Sequence, residues 1–169
     1  MKAYIGIDNG VTGSVAWILG DGTWEVRKIP VRSEQSYTKK KQNITRVMWD
    51  ALFLMFEEIV KAVNDNPDTT GMMSVIERPM VNPERFKATV SALRCLESVL
   101  IAVEAVEFPY QYIDSKQWQR EMLPAGAKGS PELKRLSKEI GARMFPGAEK
   151  CAPDCDSILM AEWARRARL

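Results

Sequence analysis

Four carboxylates stand at the ends of separate stretches of this chain: Asp8 in GIDNGVTGS, Glu77 in VIERP, and Asp154 and Asp156 in PDCDSILMAEWA. Carboxylate oxygens are hard donors suited to Mg²⁺, and a pair of such ions held by acids from distant segments can hydrolyse a phosphodiester. Asp8 lies where an apolar run meets Asn9-Gly10, a place where a tight turn serves a hairpin as readily as a site. Glu77 closes an otherwise apolar run, where a carboxylate is costly to bury unless a cation or hydrogen bonds satisfy it. The alternative, an ion pair with the adjacent Arg78, is geometrically poor because strand neighbours point to opposite faces. Asp154 and Asp156 fall in the predicted first turn of the last helix, where backbone N–H groups favour acids whatever the chemistry. One acid suffices as a cap, a role that suits Asp154, and Asp156 is left for a site.

The elements that must position these acids follow from patterning. Residues 3–8, 14–19 and 24–29 read as three strands of an antiparallel meander, punctuated by Asn9-Gly10 and Gly20-Asp21-Gly22. The polar, basic stretch 32–42 has no periodicity and reads as a surface loop. Ile44, Val47, Met48, Ala51, Leu52, Met55, Ile59 and Val63 recur at three and four, predicting an amphipathic helix over 44–63 capped by Asn43. Residues 73–77 read as a short buried strand. Asn82-Pro83-Glu84 opens a helix through about Val103, and residues 110–113 form a further strand. Asp114-Ser115 caps a short helix carrying Trp118, and Ser130-Pro131-Glu132 opens a helix ending near Phe145-Pro146. The last helix begins around Asp154 and runs to the C-terminus, with Ile158, Leu159, Ala161 and Trp163 as its apolar surface. The order βββαβαβ followed by helices predicts an α/β fold: a mixed five-stranded sheet, antiparallel then parallel, with helices on both faces. No repeat or linker interrupts residues 1–169, which read as a single domain.

Composition narrows the chemistry. The formal charge of +2 is too small to mark a nucleic-acid partner, so any DNA surface must come from local clusters such as Lys39-Lys40-Lys41. There is no histidine, which excludes a histidine general base. Cys95, Cys151 and Cys155 are an odd number in a chain without a recognisable leader, and imply a reducing compartment rather than a disulfide framework or a zinc site. No apolar run approaches the roughly 20 residues needed to cross a bilayer, so the protein is expected to be soluble, with no membrane partner.

Taken together, GIDNGVTGS, VIERP, VEFPYQYIDSKQWQREML, SKEIGARMFP and CDSILMAEWA resemble, in order and over nearly the whole chain, the RuvC family of Holliday junction resolvases within the RNase H-like superfamily. The likeness is to compact phage, bacterial and organellar members, in which a tryptophan follows a strand, a lysine-bearing helix ends in Phe-Pro, and an Asp-Ala-Leu-like sequence opens the final helix. Here these are Trp118, Lys134 through Phe145-Pro146, and Asp156-Ser157-Ile158-Leu159. The resemblance implies that Asp8, Glu77 and Asp156 ligate two Mg²⁺ ions, with Mn²⁺ as a substitute, and that Lys134 serves the scissile phosphate. Family members carry another acid three residues before the Asp156 position; this chain has Pro153 there, with Asp154 one residue on as a replacement of different reach.

The implied function is paired symmetric nicking of four-way DNA junctions, leaving 5′-phosphate and 3′-hydroxyl ends, by a homodimer whose two-fold axis matches the junction. Either of the helices opened by Asn43 and Asn82 could form the dimer contact. Met80 and Phe86 are candidates to wedge against unstacked bases, with a core contact to Val90 and Leu93 as the alternative for Phe86. Lys39, Lys40, Lys41, Arg85 and Lys87 are candidates for phosphate contacts. The expected location is the cytoplasm of a bacterial or phage-infected cell, an organellar origin being equally compatible. Two other readings share these residues: a less selective RNase H-like nuclease cutting flaps or branched replication DNA, and a junction-binding protein with impaired catalysis, suggested by Pro153. An actin-like ATPase opening also begins Asp-x-Gly, but that architecture needs a second similar domain for which this length leaves no room.

Overall fold

Two tight turns fold the first thirty residues into the strands β1 (Ala3–Ile7), β2 (Ser14–Ile18) and β3 (Trp24–Lys28), paired antiparallel in that order. The computed structural model describes residues 1–36 and 42–169, so the expectation for Lys39, Lys40 and Lys41 lies outside the described residues. At Gly13 the chain passes so close to the Asp8 carbonyl that any Cβ would overlap it. The turn after Asp8 therefore requires glycine there.

The stretch read as a loop instead contains strand β4 (Val31–Gln35), which pairs antiparallel with β5 (Asn43–Val47) as a separate two-stranded sheet. Consequently Asn43 is a strand residue, not a helix cap, and helix α1 (Trp49–Asp65) begins behind Met48 without a side-chain cap. The spacing of Ile44, Val47 and Met48 fits a helix, yet Ile44, Thr45 and Val47 are β-branched, and the Met48 N–H bonds to the Pro30 carbonyl and extends the ladder. Pairing overrode periodicity there.

Strands β6 (Met72–Glu77) and β7 (Tyr110–Ile113) add to the other edge of β1, both parallel, giving the order β3-β2-β1-β6-β7. The predicted mixed five-stranded sheet is present. Between them, a 3₁₀ turn (Pro83–Arg85), whose first amide donates to Asn82 Oδ1, leads into helix α2 (Phe86–Ala105). The C-terminal part holds α3 (Ser115–Met122), α4 (Ser130–Met144), the short α5 (Ala148–Cys151), which the sequence reading lacked, and α6 (Asp156–Ala167). Helix α4 is preceded by Gly129 at φ 83°, so Ser130 is its first helical residue rather than its cap.

Alternation along the strands sends side chains to two cores. Ile5, Ile7, Val15 and Trp17 pack against Leu52, Phe56 and Ile59 of α1 and Val99 and Val103 of α2. On the opposite face Tyr4 and Val75 meet Trp118, Ile140, Leu159 and Met160, while Ala16, Ile18 and Val26 meet Phe145, Ala148 and Ile158. Helix α6 lies directly on β1: a Cβ on Gly6 would overlap the Ser157 carbonyl and lie 2.8 Å from the Ala161 amide nitrogen.

Candidate metal centre

Parallel register brings the first two acids together. Ile7 pairs with Ile76, so Asp8 and Glu77 follow side by side at the carboxyl ends of adjacent strands. They fall on the face of Gly6 and Val75, the face that α6 covers. The start of α6 is tied down over them by a hydrogen bond of 2.7 Å between Ser14 Oγ on β2 and Ser157 Oγ. The same contact holds Asp156, the first residue of α6, above the strand ends.

One oxygen each of Asp8, Asp154 and Asp156 lie within 4.8 Å of one another. Asp154 is not a capping residue in the first turn of α6, because the helix starts at Asp156 behind Cys155, and Asp154 instead joins the acid cluster. Glu77 stands just outside that tightest group, close enough to repel Asp8, and its Oε1 accepts a hydrogen bond of 3.3 Å from the indole N–H of Trp118 on α3. Arg78 does not pair with it, and lies 3.7 Å from Asp114. Lys134 Nζ is 3.8 Å from Asp154 Oδ2, and the Ser137 hydroxyl, one turn further along α4, donates to Asp156 Oδ1.

The electrostatics reflect crowding of like charge. Burial, followed by repulsion from Glu77, Asp156 and Asp154, raises Asp8 well above the usual carboxylate range, against a weaker opposing pull from Lys134. Burial likewise pushes Asp156 up to about 7, with the Ser137 hydrogen bond opposing and Asp154 and Glu77 adding to the rise. Burial also raises Glu77, with the Trp118 indole opposing and Asp154 adding. Four acids pressed together, all hard oxygen donors with no thiol among them, fit a divalent cation, whose charge would offset their mutual repulsion. Burial pushes the Cys95 thiol up to about 12 and that of Cys155, between Asp154 and Asp156, up to about 11, which keeps both protonated.

Beside this cluster lies a cavity of about 770 Å³ between α3 and α4, floored by the segment Ala125–Gly129 and reached by Met80, Lys116, Gln119, Arg120, Lys128, Lys134 and Asp156. Its four cations, Lys116, Arg120, Lys128 and Lys134, surround a single acid. Sequence reasoning missed all of these but Met80, Lys134 and Asp156; the run Ala125-Gly126-Ala127-Lys128-Gly129-Ser130, two glycines around a lysine, was the available signal. Ser137 and the Trp118 indole had no sequence signal as partners of the acids, since a hydrogen bond between distant segments leaves no local trace.

The remaining expectations fall at the surface. Met80 is 82% exposed and Phe86 72% exposed; with Leu93 also exposed, the core contact proposed for Phe86 is not made. Arg85 and Lys87 are exposed, and Lys87 Nζ donates to Gln42 Oε1 at 3.2 Å. Among the described residues no helix is long and apolar enough to cross a membrane.

No family model matches the chain, and no curated protein does. Among solved structures, it is similar to Thermus thermophilus RuvC in complex with a Holliday junction substrate, at 11% identity and a TM-score of 0.56, covering 99% of this chain and 96% of that one. A second structure of Thermus thermophilus RuvC matches at 14% identity and a TM-score of 0.51, covering 98% and 96%. The chain therefore has the RNase H-like fold of RuvC, end to end.

Proposed function

We propose that this protein is a divalent-cation-dependent endonuclease that cuts four-way DNA junctions by paired symmetric nicks. The observation that carries the reading is the meeting of Asp8, Glu77, Asp154 and Asp156 at the sheet end of a RuvC-type fold, beside a cation-lined cavity. Asp8, Asp154 and Asp156, with Glu77 beside them and one of its oxygens engaged by Trp118, would hold the divalent cations. Bound there, Mg²⁺ supplies an activated water and charge neutralisation at the leaving 3′ oxygen.

The chain's own residues do the rest. Lys134, 62% exposed at the mouth of the cavity, is placed to hold the scissile phosphate and the charge that grows on it; its ion pair with Asp154 parks it within reach. Lys116, Arg120 and Lys128 line the path of the cleaved strand. Met80 and Phe86 project from the segment after β6, where apolar side chains stack on bases opened at the branch point, and Arg85 and Lys87 hold the flanking phosphates. Two copies related by a two-fold axis cut symmetry-related strands, and the exposed apolar positions Leu93 and Ile101 of α2 suit the contact between them. Action on DNA requires the compartment that holds it.

Incubation with Mg²⁺ and a synthetic four-way junction, a flap and a linear duplex tests this directly, with Asp8→Asn and Glu77→Gln alongside. Paired nicks on the junction alone, absent in both variants, are expected. Equal cutting of all three substrates makes the protein a less selective nuclease, and junction binding without cutting makes it an inert junction-binding protein.

A further inference from the structure

On helix α4, Lys134, Ser137 and Gly141 are spaced at three and four, so they share one face. That face meets, in order, Asp154, Asp156 and Cys155. The middle residue of that acidic tripeptide is unusual: Cys155 has φ 58° and ψ 15°, the left-handed region, which a non-glycine residue seldom occupies. In a continuous helix, residues two apart project roughly 200° from one another, so Asp154 and Asp156 would diverge. The left-handed residue between them breaks the helix behind Asp156 and turns Asp154 back towards Asp8.

Gly141 is what gives Cys155 its place. A Cβ on Gly141 would overlap the Cys155 Cβ and sit 2.9 Å from its Sγ. The buried thiol thus occupies a notch in α4 that only glycine leaves open, and its Sγ lies 3.5 Å from the Ala152 carbonyl.

We propose that the Ser137–Gly141 face of α4 is a positioning template: it seats Cys155 in the left-handed conformation and orients Asp156, which lets Asp154 take the ligand place left by Pro153. The inference rests on the metal-centre reading and deepens it. Ser137, Gly141 and Cys155 are not themselves ligands. A side chain that bound only the core would alter stability, whereas a template alters the affinity for the ion in folded protein.

The test is calorimetric titration of the full chain with Mn²⁺, with thermal melting of each variant in metal-free buffer. Gly141→Ala is expected to weaken Mn²⁺ binding about tenfold or more. Gly141→Ala combined with Cys155→Gly removes the overlap and supplies a residue at ease at positive φ, so affinity returns to within about threefold of wild type. Ser137→Ala, which adds no bulk, is expected to weaken binding about tenfold as well, and carries the test alone if Gly141→Ala does not fold. Lower melting temperatures with unchanged affinity in Gly141→Ala and Ser137→Ala would overturn the template and leave the metal centre standing. Failure of the wild-type chain to bind Mn²⁺ would overturn both.

Discussion

Asp8 faces three other acids from a largely buried position, so its charge is tolerated only against a positive counter-charge. Removing that charge has two opposite consequences. On the proposed function, in which Asp8 would be a ligand, Asp8→Asn is expected to lower junction cleavage by about 10²-fold or more. The same variant, free of metal at pH 8, is expected to melt above wild type, by about 2–4 °C for each kcal/mol of repulsion relieved. A melting temperature below wild type in calorimetry would show that Asp8 holds the strand end together rather than straining it. Lys134 is a different case: its exposed ammonium contributes little to stability. Lys134→Met should therefore leave melting within about 1 °C of wild type while reducing single-turnover cleavage by about tenfold or more.

At the scale of elements, the centre depends on how closely α6 can approach the sheet. Gly6 is the point of closest approach, and a methyl group there meets the backbone of α6 rather than a side chain able to swing away. Gly6→Ala is expected to cost about 1–3 kcal/mol of stability in urea unfolding and to weaken Mn²⁺ binding, since Asp156 rides on the displaced helix. Phe56 makes the complementary case on the far face. It is fully buried and packs on Phe108 with ring centroids 5.1 Å apart, so Phe56→Ala should cost about 3–5 kcal/mol yet leave affinity for the ion intact in the folded fraction. The hairpin of β4 and β5 is where local pattern misled: Ile44 and Val47 sit at helical spacing, yet both are β-branched, and pairing with the partner strand makes them strand residues on opposite faces.

For the whole molecule the acids set opposing pH dependences. Asp156, raised to about 7, and Asp8 and Glu77, also raised, bind protons more tightly folded than unfolded; their contribution is present at low pH and declines as pH rises through the folded values. Glu162 has the opposite sign. Burial alone would raise it, but hydrogen bonds from Arg165 at 2.7 Å and Arg166 at 2.8 Å hold it below the ordinary carboxylate range. Its stabilisation is present above the unfolded pKa and disappears as pH falls through the folded one. Metal-free protein should accordingly melt higher at pH 5.5 than at pH 8, and lose stability again below about pH 4 as Glu162 is neutralised. Mg²⁺ at a hundred times its dissociation constant should add about 2.7 kcal/mol at pH 8, and less at pH 5.5, where protons compete for the same oxygens. A melting temperature that rose steadily from pH 5.5 to 8 without metal would mean that the acids are not mutually strained.

The sequence alone carried the α/β class, the five strands of the main sheet, the amphipathic helices and the identities of the four acids. Each of those is written in local periodicity, turn residues or the oddity of a charge closing an apolar run. It did not carry the β4–β5 pairing, the docking of Ser137 on Asp156 and Trp118 on Glu77, or the place of Asp154, which capping logic assigned to a helix end. Those depend on which distant segments touch, and on the left-handed turn at Cys155 that a notch in another helix makes room for. Contacts across the chain are decided by packing in three dimensions, where a missing methyl group in α4 can redirect a carboxylate thirteen residues away along the polymer.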